Sequence, residues 1–342
     1  MVDLSERKRR ILHAVVKDYV QTAEPVGSRT ISRRYRMDLS AATIRNEMAD
    51  LEELGYLTQP HTSAGRIPSQ RGYRFYVDCL MDMTGLEPEE EGYLARVFLQ
   101  LEKMHEIDQI VQYAAKALSQ MTNYTSLVLG PQPKRSAFKH LRLVPLDGEQ
   151  ALVVLLTDSG YIKSKIIELP QALSREELTR VISYLNEQLV GQTVEELTLS
   201  RLQKLRKGLY TKIDLVDQML LLLEEASLES GSRVFLGGAS NILKQPEFRD
   251  VEKVGHLLAL FEQDEILGSI LEPLQTGLSV RIGTENVLRE ISECSLVTAT
   301  YTLCDRPDGT IGVLGPTRME YAKVVVIMKQ MVEKLNTLFS GL

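Results

Sequence analysis

A chain of 342 residues with 44% hydrophobic residues is long enough for two or three separately cored domains, because one core seldom serves more than about 200 residues. Three scattered cysteines, Cys79, Cys294 and Cys304, give neither a disulfide framework nor a paired zinc site; the charged N-terminus leaves export unsupported, and the short apolar run Leu220 to Leu223 gives no expectation of a membrane helix. With export unsupported a cytoplasmic protein is expected, and its net charge of −6 is uneven: residues 1–76 hold 13 Lys+Arg against 9 Asp+Glu and the remainder 27 against 37, which makes the N-terminal end the basic one.

Behind the candidate cap Ser5, Ile11, Leu12, Val15, Val16 and Tyr19 recur at helical spacing and predict an amphipathic helix ending near Thr22. Glu24-Pro-Val-Gly is a connection, after which Ser28 is expected to cap a short helix running to Tyr35 with Ile31 inward. Ser40 caps a third helix, on which Ile44, Met48, Leu51 and Gly55 form one stripe at about 100° per residue. Ala42, Asn46, Ala49 and Glu53 lie opposite, with Thr43 and Arg45 on the flanks.

The first two turns of that helix are uncharged or basic, and the acids Glu47, Asp50, Glu52 and Glu53 follow them. Arg pairs with guanine, Asn with adenine, and Ala or Thr with a thymine methyl. The pattern therefore fits end-on insertion into a major groove, with Arg45 and Asn46 on base edges and Ala42 and Thr43 beside them. Three helices in a row by themselves favour an ordinary solvated face; the next segment shifts that balance. Tyr56-Leu-Thr-Gln-Pro reads as a strand, His61-Thr-Ser-Ala-Gly as a tip and Arg66-Ile-Pro as a return, together a small wing. His61, Thr62 and Arg66 on the wing, with Ser28 and Arg29 at the second helix, complete the expected DNA contacts; Arg29 and Arg66 are assigned to phosphate or the minor groove. Ser69 starts a further helix, whose aromatics in Arg71-Gly-Tyr-Arg-Phe-Tyr-Val are expected to pack rather than stack on bases.

Leu94, Val97, Leu101, Met104, Val111, Ala114, Leu118 and Met121 predict one long helix, and Ser126 to Leu129, Leu141 to Val144 and Ala151 to Leu156 predict strands. From Ser174 to about Leu228 the pattern is helical; strands return near Leu278, Leu296 and Gly309, which is the order a helical insertion leaves. Leu202, Leu205, Leu209, Ile213, Val216, Leu220 and Leu223 suit a core helix or a dimer seam.

The strings Glu24-Pro-Val-Gly-Ser-Arg-Thr-Ile-Ser, Ala42-Thr-Ile-Arg-Asn-Glu-Met-Ala-Asp-Leu, Gln59-Pro-His-Thr-Ser-Ala-Gly-Arg-Ile-Pro-Ser, Phe235-Leu-Gly-Gly-Ala-Ser-Asn-Ile-Leu, Ile282-Gly-Thr-Glu-Asn and Gly315-Pro-Thr-Arg-Met-Glu-Tyr resemble, in order and over essentially the whole chain, the HrcA family of heat-shock repressors. The resemblance implies an α+β multidomain protein: a winged helix-turn-helix DNA-binding domain over 1–80, a GAF-like α/β domain in two parts, 81–172 and 257–342, and an inserted dimerisation domain over 173–256. It implies a homodimer that represses chaperone operons from an inverted-repeat operator and depends on the GroE chaperonin for its active form. No cofactor and no metal are expected, because the scattered histidines and cysteines offer no ligand set.

An enzyme reading finds little footing. Gly237-Gly238 lacks the spacing of a dinucleotide fingerprint, Gly315-Pro316 reads as a turn, and the five histidines form no metal pair or triad with the cysteines. The alternatives are a GAF-type ligand-sensing regulator, marked by a saturable small-molecule ligand, and a hydrolase or transferase carrying a DNA-binding domain, marked by turnover.

Overall fold

The computed structural model describes residues 4–35, 37–62, 64–83, 85–130, 137–146, 150–158, 162–169, 175–193, 196, 233–272, 276–303 and 306–340. Packing divides the chain into two units, Met1–Val128 with Phe235–Thr300 and Thr310–Leu335, and Leu129–Val234 with Tyr301–Gly309 and Asn336–Leu342.

The first unit begins with α1 (Glu6–Thr22), capped by Ser5, whose Oγ accepts the Lys8 N–H at 3.4 Å. Ile11, Leu12, Val15 and Val16 are buried, and the helix stops at Ala23, held left-handed at φ +56°. Helix α2 (Ser28–Arg34) is capped by Gly27 and not by Ser28, which is its buried first residue. The reason lies one step earlier: Val26 exchanges both backbone hydrogen bonds with Arg66, at 2.9 Å each, so the chain must leave that bridge and turn at residue 27. Helix α3 (Ala41–Glu53) is capped by Ser40 and buries Ile44, Met48 and Leu51. Gly55, expected on that stripe, lies beyond the helix at φ +76°. Strands β1 (Leu57–Thr58) and β2 (Ile67–Pro68) pair antiparallel, Leu57 with Pro68, and form the wing. Ser69 caps α4 (Gln70–Phe75), which buries Tyr73 and Phe75 as packing residues.

The long helix expected over 94–121 is two helices, α5 (Pro88–Leu101) and α6 (Ile107–Thr122). At about 100° per residue the apolar positions drift by roughly half a turn between Leu94 and Met121, so one straight helix cannot bury both ends. The break falls in the polar stretch 102–106.

Strands β3 (Thr125–Leu129), β7 (Val234–Gly237), β8 (Leu278–Ile282), β9 (Cys294–Leu303) and β10 (Arg306–Pro316) form a sheet in the order β7-β3-β10-β9-β8. Neighbours β3 and β7 are thus separated in sequence by residues 130–233. Gly237-Gly238 serves packing: a Cβ on Gly237 would stand 2.4 Å from the Ala115 carbonyl oxygen, and Gly238 is left-handed at φ +61°. Asn241 then fastens the turn to α6, donating to Ser119 Oγ at 2.9 Å and to the Tyr124 carbonyl at 3.2 Å. Gly315-Pro316, read as a turn, ends β10, and the bend follows at residues 317–318. The sequence reading did not single out α8 (Val251–Phe261), α9 (Asp264–Leu271) or α10 (Tyr321–Phe339). Within α10, Val324, Val325, Ile327, Met328, Met331 and Leu335 are all buried. No helix among the described residues is long and apolar enough to cross a membrane.

In the second unit β4 (Phe138–Pro145), β5 (Gln150–Thr157) and β6 (Ile162–Glu168) make an antiparallel meander. Its inner face, including Leu141, Val153, Leu155 and Ile167, shares one core with Leu178, Val181, Leu185 and Leu189 of α7 (Arg175–Leu189). Asn186 fixes that packing, accepting the Leu141 N–H at 2.8 Å and donating to the Leu141 carbonyl at 2.9 Å. A boundary at 172/173 therefore runs between a helix and the sheet it covers. The Leu202 to Leu223 series lies outside the described residues, as does Cys304.

Candidate nucleic-acid interface

The first two turns of α3 leave Ala42, Arg45 and Asn46 exposed, with Thr43 half-buried. Ser40 Oγ accepts the Thr43 N–H at 3.1 Å and lies 2.9 Å from Thr43 Oγ1, so the cap also orients the threonine. Among the described residues Arg45 and Asn46 have no hydrogen-bond or ion-pair partner, leaving a planar donor fork and an amide side by side and free to meet a ligand.

Three of the four acids behind them are occupied. Glu47 is ion-paired to Arg7 at 3.3 Å and to Lys8 at 2.9 Å, Asp50 to Lys8 at 2.8 Å, and Glu52 to Arg66 at 2.8 Å. Asp50, and after it Glu47, hold the Lys8 ammonium above its ordinary pKa, so it stays charged at neutral pH. The N-terminal turn of α1 thus neutralises the rear of α3. Phosphate repulsion, which the sequence pattern set against deep insertion, is weakened by these partners; Glu53 alone of the four acids has none among the described residues.

The other expected contacts divide. Arg29 is exposed on α2, and His61 and Thr62 are exposed at the wing tip. Ser28 is only 8% exposed, so its side chain packs inside the domain instead of facing out. Arg66 is spent on Glu52 and, through its backbone, on Val26; it ties wing to helix and is not a free cation. Gln59 was not singled out by sequence, yet its Nε2 donates to the carbonyls of Thr62 and Ala64, at 3.0 Å each, and holds the tip in shape. Arg7 and Lys8 were missed because each acts on a residue about 40 positions away, and nothing local marks the pairing. Among the described residues no group of three His, Cys, Asp or Glu side chains could hold a metal ion.

The family profile described as the HrcA protein C terminal domain matches residues 108–325. The chain is 49% identical to the heat-inducible transcription repressor HrcA of Natranaerobius thermophilus, over 98% of this chain and 97% of the relative. It is 46% identical to the protein of that name from Symbiobacterium thermophilum, over 97% and 98%. A crystal structure of a hypothetical protein shares the fold with a TM-score of 0.64 at 24% identity, covering 99% of both chains.

Proposed function

Because the chain belongs to the HrcA family of heat-inducible transcription repressors, a family of regulators and not of enzymes, we propose that it silences chaperone operons by binding an inverted-repeat operator as a homodimer in the cytoplasm. The observation that carries this reading is the pair Arg45 and Asn46, exposed and without a partner among the described residues on the leading turns of a capped helix, behind which Glu47 and Asp50 are ion-paired to α1 and Glu52 to Arg66. Arg29, His61 and Thr62 are assigned to backbone contacts on either side.

The architecture is read as a winged helix over 1–80 joined to a GAF-like domain that is interrupted by a dimerisation domain. Adjacent strands β3 and β7 favour residues 130–233 as the interruption. Its meander turns outward the cross-strand rows Val144–Leu152–Ile166 and His140–Leu156–Ile162, with Val144 47%, Ile166 57% and Ile162 62% exposed. Such a face supports pairing with a second copy. GroE is assigned as the partner that matures the repressor, a reading supported by the fold's dependence on residues far apart in sequence.

The test is a gel shift with purified protein and the inverted repeat preceding a chaperone operon. Binding that is specific for the repeat and lost when either half is scrambled is expected; equal affinity for the intact and half-scrambled probes sinks the twofold reading.

A further inference from the structure

Within the first unit the winged helix is joined to the sheet-bearing core by two charged clamps. Helix α1 leaves its last carbonyls without helical donors. Arg318, in the turn between β10 and α10, supplies one: Nη1 donates to the Val20 carbonyl at 3.0 Å, while Nη2 reaches Gln245 Oε1 at 3.2 Å and Nε reaches Glu247 Oε1 at 2.5 Å. A guanidinium whose side chain is 12% exposed thus caps α1 where the helix dipole also favours a cation.

The second clamp is on α4. Arg74 grips Glu285 through Nε at 2.9 Å and Nη2 at 2.5 Å, and Nη2 also reaches the Val280 carbonyl at 2.6 Å. One turn earlier Gln70 Oε1 accepts from the Thr284 N–H at 3.2 Å and Oγ1 at 2.8 Å. In the seam the Tyr73 ring lies 6.1 Å from that of Tyr321. Tyr321 is anchored by Ser295 Oγ and the Thr317 carbonyl at 2.6 Å each, whereas the buried Tyr73 hydroxyl has no partner among the described residues. A polar group left unmatched at the centre makes the charged ends the directional part of this joint.

Glu285 and Arg318 belong to two of the sequence strings that reading DNA does not use, Ile282-Gly-Thr-Glu-Asn and Gly315-Pro-Thr-Arg-Met. Helix α1 packs on α3 and ion-pairs with it through Lys8, so whatever orients α1 orients α3. We propose that Arg74 and Arg318 are positioning residues for operator binding, clamping the winged helix so that α3 is presented in one fixed orientation. The inference rests on the twofold reading above: when two recognition helices must engage one duplex, fixed presentation raises the effective concentration of the second for its half-site, and a loose joint forfeits that gain.

The experiment uses the full chain with Arg74→Gln, with Glu285→Gln as the core-side counterpart should the first fail to fold, and with Arg74→Lys, which keeps a donor toward Glu285, Asp78 and the Val280 carbonyl. Affinities for the intact repeat and for a probe with one scrambled half are measured at one salt concentration, beside the melting temperature and amide exchange of segments 70–80 and 280–290. The expected result is a loss of about tenfold or more on the intact repeat in the glutamine variant, little change on the scrambled probe, and partial recovery in Arg74→Lys. A proportional loss on both probes with a lowered melting temperature, or an unchanged ratio, overturns the proposal. Should the unsubstituted chain bind both probes alike, the twofold reading fails by itself and amide exchange judges the clamp: faster exchange in both segments at unchanged global stability supports it, and unchanged exchange overturns it.

Discussion

Arg45 and Arg66 carry the same charge and do different work because of what surrounds them. Arg45 is exposed and without a partner among the described residues, so Arg45→Ala and Asn46→Ala are each expected to cost about 1–3 kcal/mol of discrimination between the operator and a base-substituted probe. Arg29→Ala is expected to weaken binding to all sequences alike and to lower the slope of log affinity against log salt by roughly one. Arg66→Ala, by contrast, strands Glu52 and is expected to lower the melting temperature more than the salt slope; a normal melting curve with a reduced slope would return Arg66 to the phosphate contacts. The leading turns of α3 were legible because an exposed helical face is a periodic property. The fate of Ser28 and Arg66 was not, since burial and ion pairing depend on residues that only folding brings near. His13 is a further case. Burial in the domain, with Lys17 adding and Asp82 opposing, pushes its imidazole pKa below the ordinary value. The unfolded chain therefore binds the proton more readily, and stability falls as pH drops below the unfolded value of about 6.5. The melting temperature is expected to decline more steeply from pH 7 to 5.5 in the native chain than in His13→Gln, and parallel curves would contradict it.

Among elements, those announced by a short-range bond were the easiest to read. Ser5, Ser40 and Ser69 each accept an N–H three residues on, and all three helix starts fall where those serines stand. Strand β6 went unread because Ile162 and Ile166 face outward while Ile167 faces the core, which spoils a simple alternation. Helix α10 was legible by its period and went unread: Tyr321, Val324, Met328, Met331, Leu335 and Phe339 share one buried face, with Lys329 and Glu333 exposed opposite. Two glycines separate backbone freedom from close approach. At Gly65 a Cβ would stand 2.4 Å from the Val26 carbonyl oxygen, at the bridge that holds the base of the wing. Gly65→Ala is expected to destabilise by about 1–3 kcal/mol and to weaken operator binding by displacing His61 and Thr62. Gly92, inside α5, would meet nothing within 4 Å, and Gly92→Ala is expected to stabilise by about 0.5–1 kcal/mol. Thermal unfolding of both variants checks the pair; a stabilised Gly65→Ala would mean that the wing base has room to move.

At the scale of the whole molecule, assembly is governed by separation along the chain. The Arg318 to Val20 hydrogen bond spans 298 positions, Arg74 to Glu285 spans 211, and the first unit is built from three stretches of sequence. Neighbouring strands β3 and β7 flank more than a hundred residues that build the second unit. Contacts of this range are slow to form because loop closure must precede the energy they return, and chains of this size expose apolar surface meanwhile. During synthesis the N-terminal helices are complete well before β10 and α10 exist to receive them. The buried faces of α1 and α4 then have no core to cover, and on the proposed reading capture by a chaperonin competes with aggregation at that stage. If heat fills the chaperonin with other clients, less repressor matures and the operons it silences are released, without any thermometer in the winged helix. Denatured full chain diluted at one temperature, with or without GroE and ATP, is expected to regain operator binding in higher yield, and to scatter less light, when chaperonin is present. Equal recovery in both arms, with no aggregation in either, would show that these long-range contacts form unaided and would leave the protein's own unfolding as the heat-sensitive step.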